Sequence, residues 1–163
     1  MTNIFVADNF LNHFKSFLAS DEEIIYGCMC KIAKGVKHVK IWESPVVITR
    51  KSILFFEPLK LNKGDGNKRI SLYDIYNIGK KFIYVSWWNF RPLYSPPFET
   101  KEEFKFRQKN FLKTLLPYVL DALKDHLAFL EVNRDNPEIY NKKLEKRLIK
   151  KVPKYESKLK SLN

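Results

Sequence analysis

Between Glu23 and Trp87 the chain is a succession of short β-branched and aromatic runs cut by turn residues, a pattern that excludes an all-helical fold. The runs are Ile24–Tyr26, Val36–Trp42, Pro45–Thr49, Ser52–Phe56, Arg69–Leu72 and Phe82–Trp87, separated by Gly35, Pro45, Arg50-Lys51 and Pro58. They predict successive antiparallel strands, with Gly35 turning a hairpin between the first two. Lys60 to Asn67, with Gly64-Asp65-Gly66 inside it, reads as a polar hairpin loop, and Tyr73 to Gly79 as a bend entering a further strand.

The flanks change period. Phe10, Leu11, Phe14, Phe17 and Leu18 fall on one helical face, predicting an amphipathic helix over 8–19 with Asp8 as its N-cap. At the other flank, Thr100-Lys-Glu-Glu is a capping box opening a helix to residue 132. That helix carries two apolar stripes, Phe104, Phe111, Leu112, Leu115, Val119, Ala122, Leu123 and Leu130 on one and Leu116, Leu120 and Leu127 on the other, so it is expected to pack against two things. Pro117 is expected to kink or split it. Asn136-Pro137-Glu138 reads as a cap starting a last helix over Ile139 to Lys151, which Pro153 ends. Residues 1–135 thus form one domain with flanking helices, and 136–163 a basic helix and tail.

At 163 residues the chain is large enough to bury about 70% of its unfolded surface, so a core needs neither disulfides nor metals. Cys28 and Cys30 form one C-x-C pair with no second pair, which cannot complete a four-ligand zinc site. No run reaches the roughly 18 apolar residues of a membrane span, and Met-Thr-Asn-Ile-Phe lacks the pattern of a secretion signal. The expected location is cytoplasmic, with a peripheral membrane association compatible with the charge.

In Asp21-Glu22-Glu23-Ile24-Ile25, in Val46-Val47-Ile48-Thr49-Arg50-Lys51-Ser52-Ile53-Leu54-Phe55-Phe56, and in Arg69-Ile70-Ser71-Leu72-Tyr73-Asp74-Ile75-Tyr76-Asn77-Ile78, the stretch 21–88 resembles the GRAM and bacterial PH-like domains. The resemblance implies an α+β fold: a strongly bent, seven-stranded antiparallel β-barrel closed by a C-terminal helix, here with an extra N-terminal helix and a basic C-terminal helix. It also implies a binding module for lipids or proteins rather than a catalyst, with phosphate contacts on a basic first hairpin.

Lys31, Lys34, Lys37 and Lys40 step by three around Gly35, and Arg50 and Lys51 stand in the next turn; all six are candidates for anion binding. The net charge is +12, and from Glu138 to Asn163 nine basic residues face three acidic ones. Lys146, Arg147, Lys150 and Lys151 on the last helix extend the candidate set, and the apolar stripe of Tyr140, Leu144, Leu148 and Val152 is too thin to hold that helix without a partner. Trp87, Trp88, Phe90 and Tyr94, with Arg91 and Phe98 in a proline-bearing loop, are candidates for aromatic contact with bases or a membrane interface.

Catalysis has little support. His13, His38 and His126 are scattered, there is no phosphate-cradling glycine loop and no G-x-S-x-G, and Asp21, Glu22 and Glu23 are adjacent rather than opposed. The expectation is a non-enzymatic adaptor without cofactor or metal, engaging an anionic lipid surface or a protein partner. The alternatives are a nucleic-acid or ribonucleoprotein-binding protein using the same lysines and the 87–98 loop, and a structural subunit of a larger assembly or oligomer.

Overall fold

The computed structural model of the chain describes residues 4, 6–35, 39–58, 66–72, 75–78, 83–85, 88–94 and 99–163. Seven antiparallel strands form one sheet: β1 (Ile24–Lys34), β2 (Lys40–Thr49), β3 (Ser52–Phe56), β4 (Asn67–Ser71), β5 (Ile75–Ile78), β6 (Ile83–Val85) and β7 (Trp88–Pro92). The order across the sheet is β4-β3-β2-β1-β7-β6-β5, so β1 is the hinge strand between two meanders. Helix α1 (Asp8–Lys15) precedes the sheet, and α2 (Lys101–Val132) and α3 (Lys142–Leu162) follow it. The fold is α+β, but the sheet does not close into a barrel: β4 and β5 are its two ends and do not pair.

Strand parity builds the core. Tyr26, Cys28, Cys30 and Ile32 alternate along β1 onto one face, joined by Val46, Ile48, Ile53, Phe55 and Phe90, and α2 lays Phe111, Leu112, Leu115 and Val119 over them. Tyr26 and Phe111 meet edge to face at 5.0 Å, as do Phe55 and Phe90 at 4.9 Å. The opposite face of β2 and β3 is covered by α1, where Phe14 packs with Ile24, Val47 and Leu54. Residues Val46 to Thr49 are therefore buried at every position, lacking the in–out alternation of a half-exposed strand. Gly27 permits this second layer, because a Cβ there would stand 3.2 Å from Cγ2 of Val6. Gly35 turns the β1–β2 hairpin with a φ of 108°, which a side chain would oppose.

Several local expectations are corrected. Asp8 is the first helical residue rather than the cap; Ala7 occupies the cap position, and α1 ends at Lys15, not 19. β2 runs unbroken through Pro45, which sits opposite Met29. The Ser44 hydroxyl accepts from the Phe56 N–H at 3.0 Å, supplying that amide with a partner where the β2–β3 ladder ends. The Thr100 capping box forms with both of its bonds, Glu103 N–H to Thr100 Oγ1 and Thr100 N–H to the Glu103 carboxylate. α2 then continues across Pro117 without a split. The neighbours Leu115, Leu116 and Val119 are fully buried, and their packing outweighs the lost helical bond.

Asn136 to Tyr140 form a turn rather than the start of the last helix, with the Ile139 and Tyr140 amides both donating to the Asn136 carbonyl. α3 begins after Asn141, whose side chain accepts from the Leu144 N–H at 3.0 Å. It passes through Pro153 to Leu162, because Leu148 and Tyr155 on either side are buried in the main core. The tail is thus an ordered helix of 21 residues.

Candidate functional site

Among the described residues, the densest unneutralised charge lies on α3. Its apolar stripe of Leu144, Leu148, Val152, Tyr155 and Leu159 belongs to the main core, which fixes the helix rotation. The outward face then carries Lys143, Lys146, Arg147, Lys150 and Lys154, all exposed and spaced i, i+3, i+4, i+7, i+11. At a rise of about 1.5 Å per residue this band runs about 16 Å along the helix. The two acidic residues of α3 oppose it little. Glu145 is buried and binds Arg134 and the Tyr140 hydroxyl, the latter at 3.0 Å; Glu156 pairs with Lys124 at 3.2 Å on the flank. Burial and the Glu145 contact push the Tyr140 hydroxyl above its ordinary pKa of 10.0.

Lys151 departs from its neighbours. It is half-buried and its ammonium donates to the Ile75 carbonyl at 3.4 Å, so α3 covers the exposed edge strand β5 at this point. Burial, and then repulsion from Arg147 and Lys154, lowers its pKa below 10.5. It belongs to the scaffold of the basic face rather than to the face itself.

The hairpin lysines do not converge. Lys31 is exposed on the outer face, beside Arg91 of β7 and Glu43 of β2 in register. Lys34, three positions on, points to the other face: it forms an ion pair with Glu57 and lies 5.1 Å from the Trp88 ring centroid. Glu57 has a fully buried side chain and also faces Lys68 at 3.7 Å. Lys40 is exposed at the start of β2, and Lys37 lies outside the described residues.

Arg50 and Lys51 form the β2–β3 turn. They line a cleft of about 470 Å³ whose other wall is α2, with Tyr118, Asp121, Ala122 and Asp125. Lys51 also approaches Asp21 at 3.5 Å, both side chains largely exposed. This turn is therefore basic beside an acidic wall, not an isolated cationic patch.

The aromatic candidates divide likewise. Phe90 is fully buried, and Trp88 is half-buried against Phe55 with its indole N–H buried and unpartnered among the described residues. Neither offers a free ring face. Tyr94 is 39% exposed and rests on Phe104 at 5.2 Å. Trp87 and Phe98 lie outside the described residues. Arg107 anchors this end of the chain, binding the Leu93 carbonyl and pairing with Glu99 at 2.8 Å.

The described residues hold no cluster of three or more His, Cys, Asp or Glu able to bind a metal. Cys28 and Cys30 are free thiols, fully buried with Sγ atoms 3.5 Å apart, and burial pushes the Cys30 thiol well above its ordinary range. No described helix is long and apolar enough to cross a membrane. Glu57, Tyr118, Asp121 and Asp125 are among the residues that join these arrangements only in the folded chain. The one available clue is that Asp121 and Asp125 are an i, i+4 like-charge pair, unfavourable on an isolated helix and so a pointer to something facing them. No family model matches the chain, and comparison with curated proteins gives no match.

Proposed function

We propose that the chain is a non-catalytic, PH-like binding module that docks on an anionic membrane surface through the exposed face of α3. The observation that carries this reading is the division of labour on that helix. Its apolar stripe is occupied by the rest of the fold, so Lys143, Lys146, Arg147, Lys150 and Lys154 are held outward on a rigid support. Such a face binds by charge without inserting, each lysine near an anionic bilayer contributing about 1 kcal/mol. The PH-like part of the reading draws on the seven antiparallel strands and the long helix that comes after them; the sheet is open rather than the closed barrel that the resemblance implies.

A lipid surface is favoured over single-stranded nucleic acid because two of the four rings offered for stacking on bases, Trp88 and Phe90, pack into the core, which leaves Tyr94 as the exposed ring among the described residues. The test is flotation of the purified protein with neutral vesicles and with phosphatidylserine-containing vesicles, with and without excess RNA and DNA. Flotation with the anionic vesicles alone, resistant to the competitors, supports the reading. Absence of flotation, or displacement by nucleic acid, overturns it.

A further inference from the structure

The cleft between the β2–β3 turn and α2 is distinct from the basic face of α3. Tyr118, Asp121, Ala122 and Asp125 fall at i, i+3, i+4 and i+7, one stripe of α2, and all four line it. Lys124, which pairs with Glu156 of α3, lies on another stripe of the same helix. The cleft thus opens on a different side of α2 from the α3 contact.

Lys51 pairs with Asp21 at the rim, and the other three charges of the cleft are unsatisfied among the described residues. Arg50, Asp121 and Asp125 are exposed, and no ion pair or hydrogen bond among the described residues involves their side chains. Cations stand on the turn side and two carboxylates one helical turn apart on the other, yet no ion pair joins the walls across the gap. Two like charges at i, i+4 without a counter-charge disfavour the helix that carries them. A volume of about 470 Å³ suits a small molecule, and the Tyr118 ring with Ala122 supplies an apolar floor.

The geometry points to a binding site for a small zwitterion with separated charges, of the ω-amino acid class. Its carboxylate faces Arg50 and Lys51, its ammonium faces Asp121 and Asp125, and the methylene chain lies on Tyr118. A purely anionic ligand is repelled by the aspartates and a purely cationic one by the turn, so both charges on one molecule are the recognition element.

The test is titration of the full chain with γ-aminobutyrate and ε-aminocaproate, and with caproate and n-hexylamine as singly charged analogues, read by calorimetry and by amide NMR shifts at Arg50, Lys51 and Asp121. At least one zwitterion is expected to bind saturably, and each analogue at least about tenfold more weakly, the loss of one charge-assisted contact. Asp121→Asn with Asp125→Asn, and separately Arg50→Gln, are expected to abolish binding while neither lowers the melting transition nor weakens vesicle flotation; the aspartate pair, once neutralised, should melt slightly higher. No binding of either zwitterion, equal binding of a singly charged analogue, or undiminished binding by the aspartate variant overturns the assignment. Because α3 is untouched in these variants, failure here is separable from failure of the membrane reading.

Discussion

Neutralising four residues of the outer α3 face, Lys146→Gln, Arg147→Gln, Lys150→Gln and Lys154→Gln together, isolates its charge from its packing. All four are exposed and none belongs to the core, whereas Lys151 is left in place because its ammonium is bonded to the Ile75 carbonyl. At about 1 kcal/mol for each cation near an anionic bilayer, removal of four lowers binding by about 2–4 kcal/mol, the lower figure allowing for screening and for cations that stand off the surface. That range is a loss of about 30-fold to 800-fold in partition coefficient. Stability should change little, because surface substitutions away from packed or capped positions stay within about 0.5 kcal/mol each. Partition is measured by sedimentation against vesicles of increasing phosphatidylserine content, and folding by circular dichroism and thermal melting. An unchanged partition coefficient in a protein with an unchanged melting curve refutes the assignment of the surface to α3. A weakened partition with a collapsed melt instead shows that these side chains support the helix, contrary to their exposure.

Other expectations concern the scaffold. Glu57→Gln leaves Lys34 and Lys68 facing an uncharged amide in a buried setting. With the two lysines 29% and 32% exposed, urea unfolding should show a loss of about 2–3 kcal/mol, below the full cost of an orphaned buried charge; an unchanged midpoint refutes the ion-pair account. Burial works against the charged form of Glu22, yet hydrogen bonds from Thr49 and Arg69 outweigh it and hold its carboxyl below the ordinary 4.5. Its folded pKa being depressed, its contribution to stability is present above 4.5 and is lost as pH falls through the lower folded value; Glu22→Gln should flatten the melting profile in that acid window. Cys28 and Cys30, fully buried, should resist a thiol reagent in the native protein and react on unfolding, and prompt native labelling contradicts their placement. Pro153→Ala should raise stability by about 1–3 kcal/mol by restoring a helical hydrogen bond at an exposed interior position of α3, and a lowered unfolding midpoint counts against the unbroken helix.

Legibility in the sequence followed the range of the governing interaction. The runs Pro45–Thr49 and Ser52–Phe56, the Gly35 turn and the Thr100 capping box are local devices, and each is present where its residues stand. Four of the misread boundaries involve proline, at positions 45, 117, 137 and 153, whereas the two ends of α1 do not. In three of them the local cost is outweighed by contacts distant in sequence: the Ser44 hydroxyl reaching Phe56, the burial of Leu115 and Leu116, and the seating of Leu148 and Tyr155 in the main core. At Pro137 a better cap four residues later, Asn141, takes the helix start. Glu57 was invisible for a related reason, since a single acid between Phe56 and Pro58 carries no periodicity and its partners come from β1 and β4.

The fate of the hairpin lysines follows from parity alone. Side chains on a strand alternate faces, so residues three apart on β1 must point to opposite sides of the sheet. Lys31 and Lys34 obey this: one is exposed beside Arg91, the other is ion-paired with Glu57. A step of three that scatters charge on a strand gathers it on a helix, where positions three and four apart share a face. The same lysine spacing therefore yields one available cation on β1 and a continuous band on α3. Net charge of +12 is no guide to where an anion binds until the period of each element is known, and it is the helical period, with the apolar side of α3 already covered, that concentrates the charge.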